Sequence, residues 1–116
     1  MSAVDYRRAL HRIPELDDQL PKTQAYLLSQ LEGLRCRIIT PGRSAVLAYF
    51  DVGKPDTAAF RSDMDALPIE EQTGLSFCSK HPGRMHACGH DGHMAIMLGF
   101  AKVIDDYLKR GVKLSC

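Results

Sequence analysis

"CRIITPGRSAVLAYFDVGKPDTAAFRSDMDALP", residues 36–68, holds three short runs rich in apolar and β-branched residues, each followed by turn residues. "CRIIT" (36–40) closes on "PGR", "AVLAYF" (45–50) closes on "DVGKPD", and "TAAFRSDMD" (57–65) is stopped by Pro68. The stretch therefore reads as three strands joined by turns. Helical patterns lie on both sides of it. Upstream, "AVDYRRALHRI" spaces Val4, Leu10 and Ile13 between basic residues and is ended by Pro14. From Pro21 to Leu34 the residues Ala25, Leu27, Leu28, Leu31 and Leu34 recur at helical spacing, with Pro21 in a permitted first-turn position and Gly33 near the end. Downstream, residues 91–110 read as a third helix, with Asp91 as its N-cap, Lys109 and Arg110 facing the C-terminal dipole and Gly111 at the C′ position. "VKLSC" (112–116) then starts like a buried strand. Helices, three strands, a helix and a strand define an α/β layer architecture with helices packed on a sheet.

Length and charge narrow the function classes. A chain of 116 residues is about one domain, able to bury roughly two thirds of its unfolded surface, and no internal repeat or low-complexity tract divides it. Fifteen Lys and Arg face fourteen Asp and Glu, a formal charge of +1, so no excess field draws the chain to nucleic acid or anionic lipid. The N-terminus "MSAVDYRRAL" lacks the apolar run of a signal peptide, and no stretch approaches the eighteen or so apolar residues of a membrane span. The expectation is a cytoplasmic protein with neither a nucleic acid nor a membrane partner. Cys36, Cys78 and Cys116 form no disulfide framework and read as buried or incidental thiols.

The chemistry concentrates in "MHACGHDGHMA", residues 85–95, which holds Cys88 and three of the five histidines, His86, His90 and His93. On a helix, Cys88 and His90 would point about 200° apart, so they can share an ion only in a loop. Gly89 and Gly92 make such a loop easy and let the backbone approach a ligand. Thiolate sulfur and imidazole nitrogen are donors that select zinc or a similar transition metal over magnesium or calcium. A Cys-x-His dipeptide is also a chance occurrence, and His86 or His93 can be surface or helix-capping residues. A four-ligand site needs one of them plus a donor from elsewhere. His93 stands one helical turn after His90, which suits a residue that supports a ligand.

A second cluster is "RSDMDALP", residues 61–68, where Asp63 and Asp65 share a face at the end of the third expected strand, the position where open α/β sheets place their sites. A carboxylate there can ligate a metal or hold a metal-bound histidine in one tautomer. The plainer alternative is a turn in which Asp63 or Asp65 pairs with Arg61 or Arg84.

Taken together, "RRALHRIPEL", "FRSDMDALPIEEQTGL" and "GRMHACGHDGHMAIMLGFAKVI" resemble the amidohydrolase branch of the aminoacylase and carboxypeptidase-like metallopeptidases, in register from about Tyr6 to Leu114. That branch includes hippurate hydrolases, N-acetyl-diaminopimelate deacetylases and indole-acetic-acid conjugate hydrolases. The resemblance implies the N-terminal part of a three-layer, zinc-exopeptidase-like catalytic domain, with helices on a mixed sheet that is incomplete here. It implies two divalent metal ions (zinc, manganese or cobalt), with Cys88 and His90 as ligands and Asp65 as the catalytic carboxylate that orients the apparatus. It gives no role to His86, His93 or Asp63. The implied substrate is a small N-acyl amino acid or peptide-like conjugate. A homo-oligomer is expected on separate grounds, because the "VKLSC" strand edge and the apolar side of the 91–110 helix lack cover. In the family, a strand like "VKLSC" leads to a paired-glutamate motif, two further histidine ligands and a lid or dimerisation domain. None of these lies within residues 1–116, and Glu70 and Glu71 sit in the wrong motif to replace them. The chain is thus expected to be an N-terminal segment, inactive by itself. The competing reading is a non-catalytic metal-binding or interaction module that keeps half of the site.

Overall fold

The first helix, α1 (Ala3–His11), begins where Ser2 and Asp5 satisfy each other's backbone amides in a capping box: Asp5 N–H donates to Ser2 Oγ at 3.4 Å and Ser2 N–H to Asp5 Oδ2 at 2.9 Å. Hydrogen bonds from the Ser2 backbone and side chain hold the Asp5 carboxyl below its usual range. These elements come from a computed structural model that describes residues 1–42 and 44–114. Helix α2 (Pro21–Leu31) starts with proline in the first turn, yet Leu20 at its N-cap offers no side-chain acceptor. The buried carboxylate of Glu15 supplies one from outside the helix, accepting from Lys22 N–H at 3.2 Å and Thr23 N–H at 2.7 Å. The helix ends at Leu31, one turn before the expected Leu34, because Glu32 is extended and Gly33 takes a left-handed conformation at φ +83°.

Two of the three expected strands form. Strands β1 (Arg37–Ile39) and β2 (Leu47–Tyr49) pair antiparallel, with Arg37 opposite Tyr49, Ile38 opposite Ala48 and Ile39 opposite Leu47. Arg43, in the expected turn between them, lies outside the described residues. The third expected strand, 57–65, runs without a strand partner among the described residues. Apolar alternation makes a strand only where a neighbour completes the hydrogen-bond ladder. Pairing begins just after this segment: Ala66 N–H donates to the Glu15 carbonyl at 2.8 Å, and Leu67 and Met85 exchange both backbone hydrogen bonds at 2.9 and 3.0 Å. Residues 112–114 do not continue as a strand, and Ser115 and Cys116 of the expected "VKLSC" strand lie outside the described residues.

The long helix α3 (His90–Lys109) organises the core. Its N-cap is Gly89 at φ +97°, so Asp91, expected at the cap, lies inside the first turn and is buried. The C-terminus is as expected: Gly111 at φ +73° donates to the Leu108 carbonyl and Val112 to the Tyr107 carbonyl, which closes the last turn. Met94, Ala95, Leu98 and Ala101 form one stripe of α3 and pack against Tyr6 and Leu10 of α1 and Leu27 and Leu31 of α2. Near the far end, the Asp105 carboxylate accepts the Arg35 N–H at 2.7 Å, which with Lys109 and the Arg35 guanidinium keeps its carboxyl below the usual range. The other side of α3 is apolar too. Ile96, Phe100, Val103 and Tyr107 are exposed, with Phe60 set edge-on to Phe100 at 5.1 Å between ring centroids. Among the described residues no helix is long and apolar enough to cross a membrane. The α/β class stands.

Because two backbone amides of α2 end on one buried carboxylate, Glu15→Ala is expected to destabilise the chain by about 1–3 kcal/mol. Urea unfolding followed by circular dichroism measures this as a lower midpoint at unchanged slope, and an unchanged midpoint rejects the capping role.

Candidate metal centre

The Leu67–Met85 bridge sets the segment carrying Asp63 and Asp65 beside the segment that leads into α3. From Met85 the chain passes His86 and Cys88, turns at left-handed Gly89 and enters the helix at His90, with His93 one turn further on. Only glycine takes that turn without strain.

Two of the expected site residues meet directly. His90 Nδ1 lies 2.9 Å from the Asp65 carbonyl oxygen and 3.1 Å from Asp65 Oδ1. A backbone carbonyl only accepts, so Nδ1 carries the proton and, in the neutral ring, Nε2 keeps the free lone pair. Asp63 stands on the Nε2 side, with Oδ2 at 3.8 Å, while its other oxygen accepts from the Arg61 guanidinium at 2.7 Å. The turn-and-ion-pair reading of the sequence therefore holds for Asp63. His93 lies beside His90, the ring centroids 6.0 Å apart. The Cys88 thiol is exposed. Among the described residues no three His, Cys, Asp or Glu side chains converge as a closed metal site.

The chemistry of this donor set fits a divalent transition metal: an imidazole with a fixed tautomer and an open Nε2, an exposed thiol two residues away, and flanking carboxylates. The fit is that of part of a ligand shell. Cys88 and His90 would hold the ions, with Asp65 behind His90.

His86 differs from its neighbours. It is buried, and neither ring nitrogen has a hydrogen-bond partner. Burial pushes its pKa down to about 4, helped by the nearby His11 and His90 and opposed by the Asp91 and Asp65 carboxylates, so the ring is neutral at pH 7.

Sequence reasoning missed a second group of polar residues under the site. His11 is fully buried in α1, with Nδ1 2.8 Å from Asp91 Oδ2 and Nε2 3.0 Å from Glu71 Oε1. Arg7 Nε also donates to Asp91 Oδ2, at 3.0 Å. Burial raises the Glu71 carboxyl, but hydrogen bonds from Thr73, the Ser79 backbone and His11 outweigh it and leave the pKa lowered. Glu70 turns away and accepts the Gly83 N–H. The available signal was "RRALH": Arg7 and His11 stand four apart, on one face of a helix.

An α/β segment that presents an oriented histidine and a cysteine at a helix start offers part of a donor set for a divalent metal. Residues 59–116, the half that carries both clusters, match the model of peptidase family M20/M25/M40. N-acetyldiaminopimelate deacetylase of Streptococcus pneumoniae is 49% identical over 104 residues, covering 85% of this chain and 28% of its own length. The enzyme of the same name from Halalkalibacterium halodurans is 48% identical, at 87% and 28% coverage. Among solved structures, the YxeP protein of Bacillus subtilis, a dinuclear metal binding peptidase from the M20 family, superposes with a TM-score of 0.83 at 38% identity over 90% of this chain and 30% of its own. A protein of methicillin-resistant Staphylococcus aureus assigned as an aminohydrolase gives 0.85 at 41%, over 90% and 28%. The chain belongs to the M20/M25/M40 peptidase family, and its resemblance to the amidohydrolase branch holds. It spans a little over a quarter of the length of the deacetylases it matches.

The buried His86 makes a pH prediction. Its folded pKa of about 4 lies below the ordinary 6.5, so between these values the unfolded chain binds a proton that the folded chain refuses. Its contribution to stability is complete above pH 6.5, is lost as pH falls through that window, and levels off below about 4. The loss is on the order of 3 kcal/mol. In EDTA-containing buffer, His86→Met should remove this part of the pH dependence of unfolding; identical wild-type and variant slopes would refute the neutral buried ring.

Proposed function

We propose that residues 1–116 supply the N-terminal part of a two-metal amidohydrolase that cleaves the amide bond of small N-acyl amino acids or similar conjugates, with Cys88 and His90 as metal ligands and Asp65 as the carboxylate that orients His90. The observation that carries this reading is the Asp65–His90 contact, in which Nδ1 is bound by the Asp65 carbonyl and carboxylate and Nε2 is left open. Metal-binding histidines are held this way, with the rear nitrogen donating to a carboxylate or carbonyl. The deacetylase relatives support the substrate class and the dinuclear B. subtilis neighbour supports the metal count.

Bound divalent cations supply Lewis acidity toward the acyl carbonyl and make water a better nucleophile. The chain's own part is to hold donors in place. Asp65 fixes the His90 tautomer and leaves Nε2 facing outward as a donor. Cys88, exposed and followed by Gly89, would add a soft sulfur donor beside His90. His86 places a neutral ring under the loop, adding no positive charge to repel the ions.

Cobalt(II) titration of the protein tests the ligand set. The wild type should develop sulfur-to-metal charge transfer, Cys88→Ser should abolish it, and Asp65→Asn should weaken binding roughly tenfold or more. An unchanged spectrum in Cys88→Ser refutes the ligand assignment. Hydrolysis of N-acetyl and N-benzoyl amino acids by an enzyme containing this segment should fall in the same variants.

The proposed assembly is a homo-oligomer, supported by the exposed apolar side of α3. Light scattering should give a mass above 12.9 kDa at micromolar concentration, falling in Phe100→Glu. A monodisperse wild-type monomer rejects self-association.

A further inference from the structure

The two donors proposed to face metal stand on either side of Gly89, Cys88 just before the N-cap of α3 and His90 at its first position. Gly89 and Gly92 flank His90 and Asp91, and glycine gives a backbone little stiffness of its own. What fixes the segment is Asp91, whose side chain is 2% exposed and hydrogen-bonded on both oxygens. Oδ1 accepts the Gly92 N–H at 2.9 Å; Oδ2 lies 2.8 Å from His11 Nδ1 and accepts from Arg7 Nε at 3.0 Å. His11 is held in turn. Its Nε2 meets Glu71 Oε1 at 3.0 Å, and Glu71 accepts from the Ser79 N–H at 2.8 Å and from the Thr73 hydroxyl. Phe77 stands edge-on to the His11 ring at 5.7 Å, under the guanidinium groups of Arg7 and Arg8. An imidazole bound at both nitrogens and packed along an edge cannot turn without breaking a buried hydrogen bond.

We propose that His11 is a positioning residue for the metal-holding loop: bridging Glu71 and Asp91, it fixes the first turn of α3 and with it the placement of His90 relative to Cys88. The inference rests on the metal reading of Cys88 and His90 but concerns His11, whose hydrogen bonds go to Asp91 and Glu71. Groups that orient a ligand from behind typically change metal affinity by ten- to a hundredfold when removed.

The test compares His11→Phe, which keeps a ring against Phe77 and loses both hydrogen bonds, with Asp105→Asn, which weakens the opposite end of the same helix. Asp91→Asn, nearly the same shape as the native side chain, stands in if His11→Phe does not fold. Two readings are taken: cobalt(II) affinity with its absorption bands, and amide exchange of Gly92 and His93 in metal-free protein. His11→Phe or Asp91→Asn should lower cobalt affinity at least tenfold, shift the bands and speed exchange at residues 92–93 with little change at 101–109. Asp105→Asn should lower stability yet leave the bands and affinity alone. Equal losses in Asp105→Asn mean that His11 acts only through global stability, and wild-type exchange and affinity in both His11→Phe and Asp91→Asn overturn the proposal outright. If the wild type shows no thiolate charge transfer, the metal reading fails, and exchange at residues 92–93 still decides whether His11 fixes the loop.

Discussion

A carboxylate as deeply buried as Asp91 is tolerated only when both oxygens are hydrogen-bonded and its charge is offset. That requirement ties the structure together. The helix N-terminus favours a negative charge in its first turn, which explains why an aspartate is accepted there, but the dipole contributes less than the cost of removing the charge from water. His11 and Arg7 make up the difference from α1, and Glu71 extends the chain of partners into the loop before α3. Helices 80 residues apart in sequence are thereby locked in one register. The apolar contacts of Tyr6 and Leu10 with Met94 and Leu98 are less specific in direction, and the polar pair selects one arrangement among those that would bury similar area.

The same device appears twice more at smaller scale. Glu15, in the loop between α1 and α2, ends the amides of α2 with its side chain and holds Ala66 with its backbone. Asp105 receives the Arg35 amide beyond α2. In these two cases the buried carboxylate accepts backbone N–H groups from another segment, whereas Asp91 meets side chains of α1, and charge-assisted hydrogen bonds of this kind are stronger than neutral ones. One consequence reaches the site: the Glu15 carbonyl and Met85 together set the path of residues 66–67, so the placement of Asp65 beside His90 depends on the loop between α1 and α2.

What was legible in the sequence follows from the range of each force. The three helices were readable because 3.6-residue periodicity and end signals such as Pro21 and Gly111 are local. Strands β1 and β2 were readable because their apolar runs are separated by a short turn. The run 57–65 has the same composition but no ladder partner among the described residues, and a pattern cannot show whether a neighbour is present. A carboxylate just before an apolar periodic run is the usual cap signal and points to Asp91, whereas the left-handed Gly89 that takes the position shows only in the backbone. His11 escaped notice because its partners lie 60 and 80 residues away. The cluster around Cys88 and His90 stood out by density, and the sequence left Asp65 two roles, ligand or support for a histidine.

Geometry separates those roles for the two aspartates. Asp63 is engaged with Arg61 and faces the open side of His90, where a further donor would be useful but a guanidinium already competes for it. Asp65 presents two acceptors to Nδ1, one a backbone carbonyl that no side-chain substitution removes. The tautomer of His90 is therefore set by the backbone, with the carboxylate as reinforcement. The Asp65 carboxylate's separate contribution is its negative charge, which favours a cation in front of the ring. Replacing the carboxylate should consequently leave His90 in the correct tautomer while weakening its hold on a cation, an effect distinct from rotating the ring out of place, which is what loss of the Asp91 anchor would do.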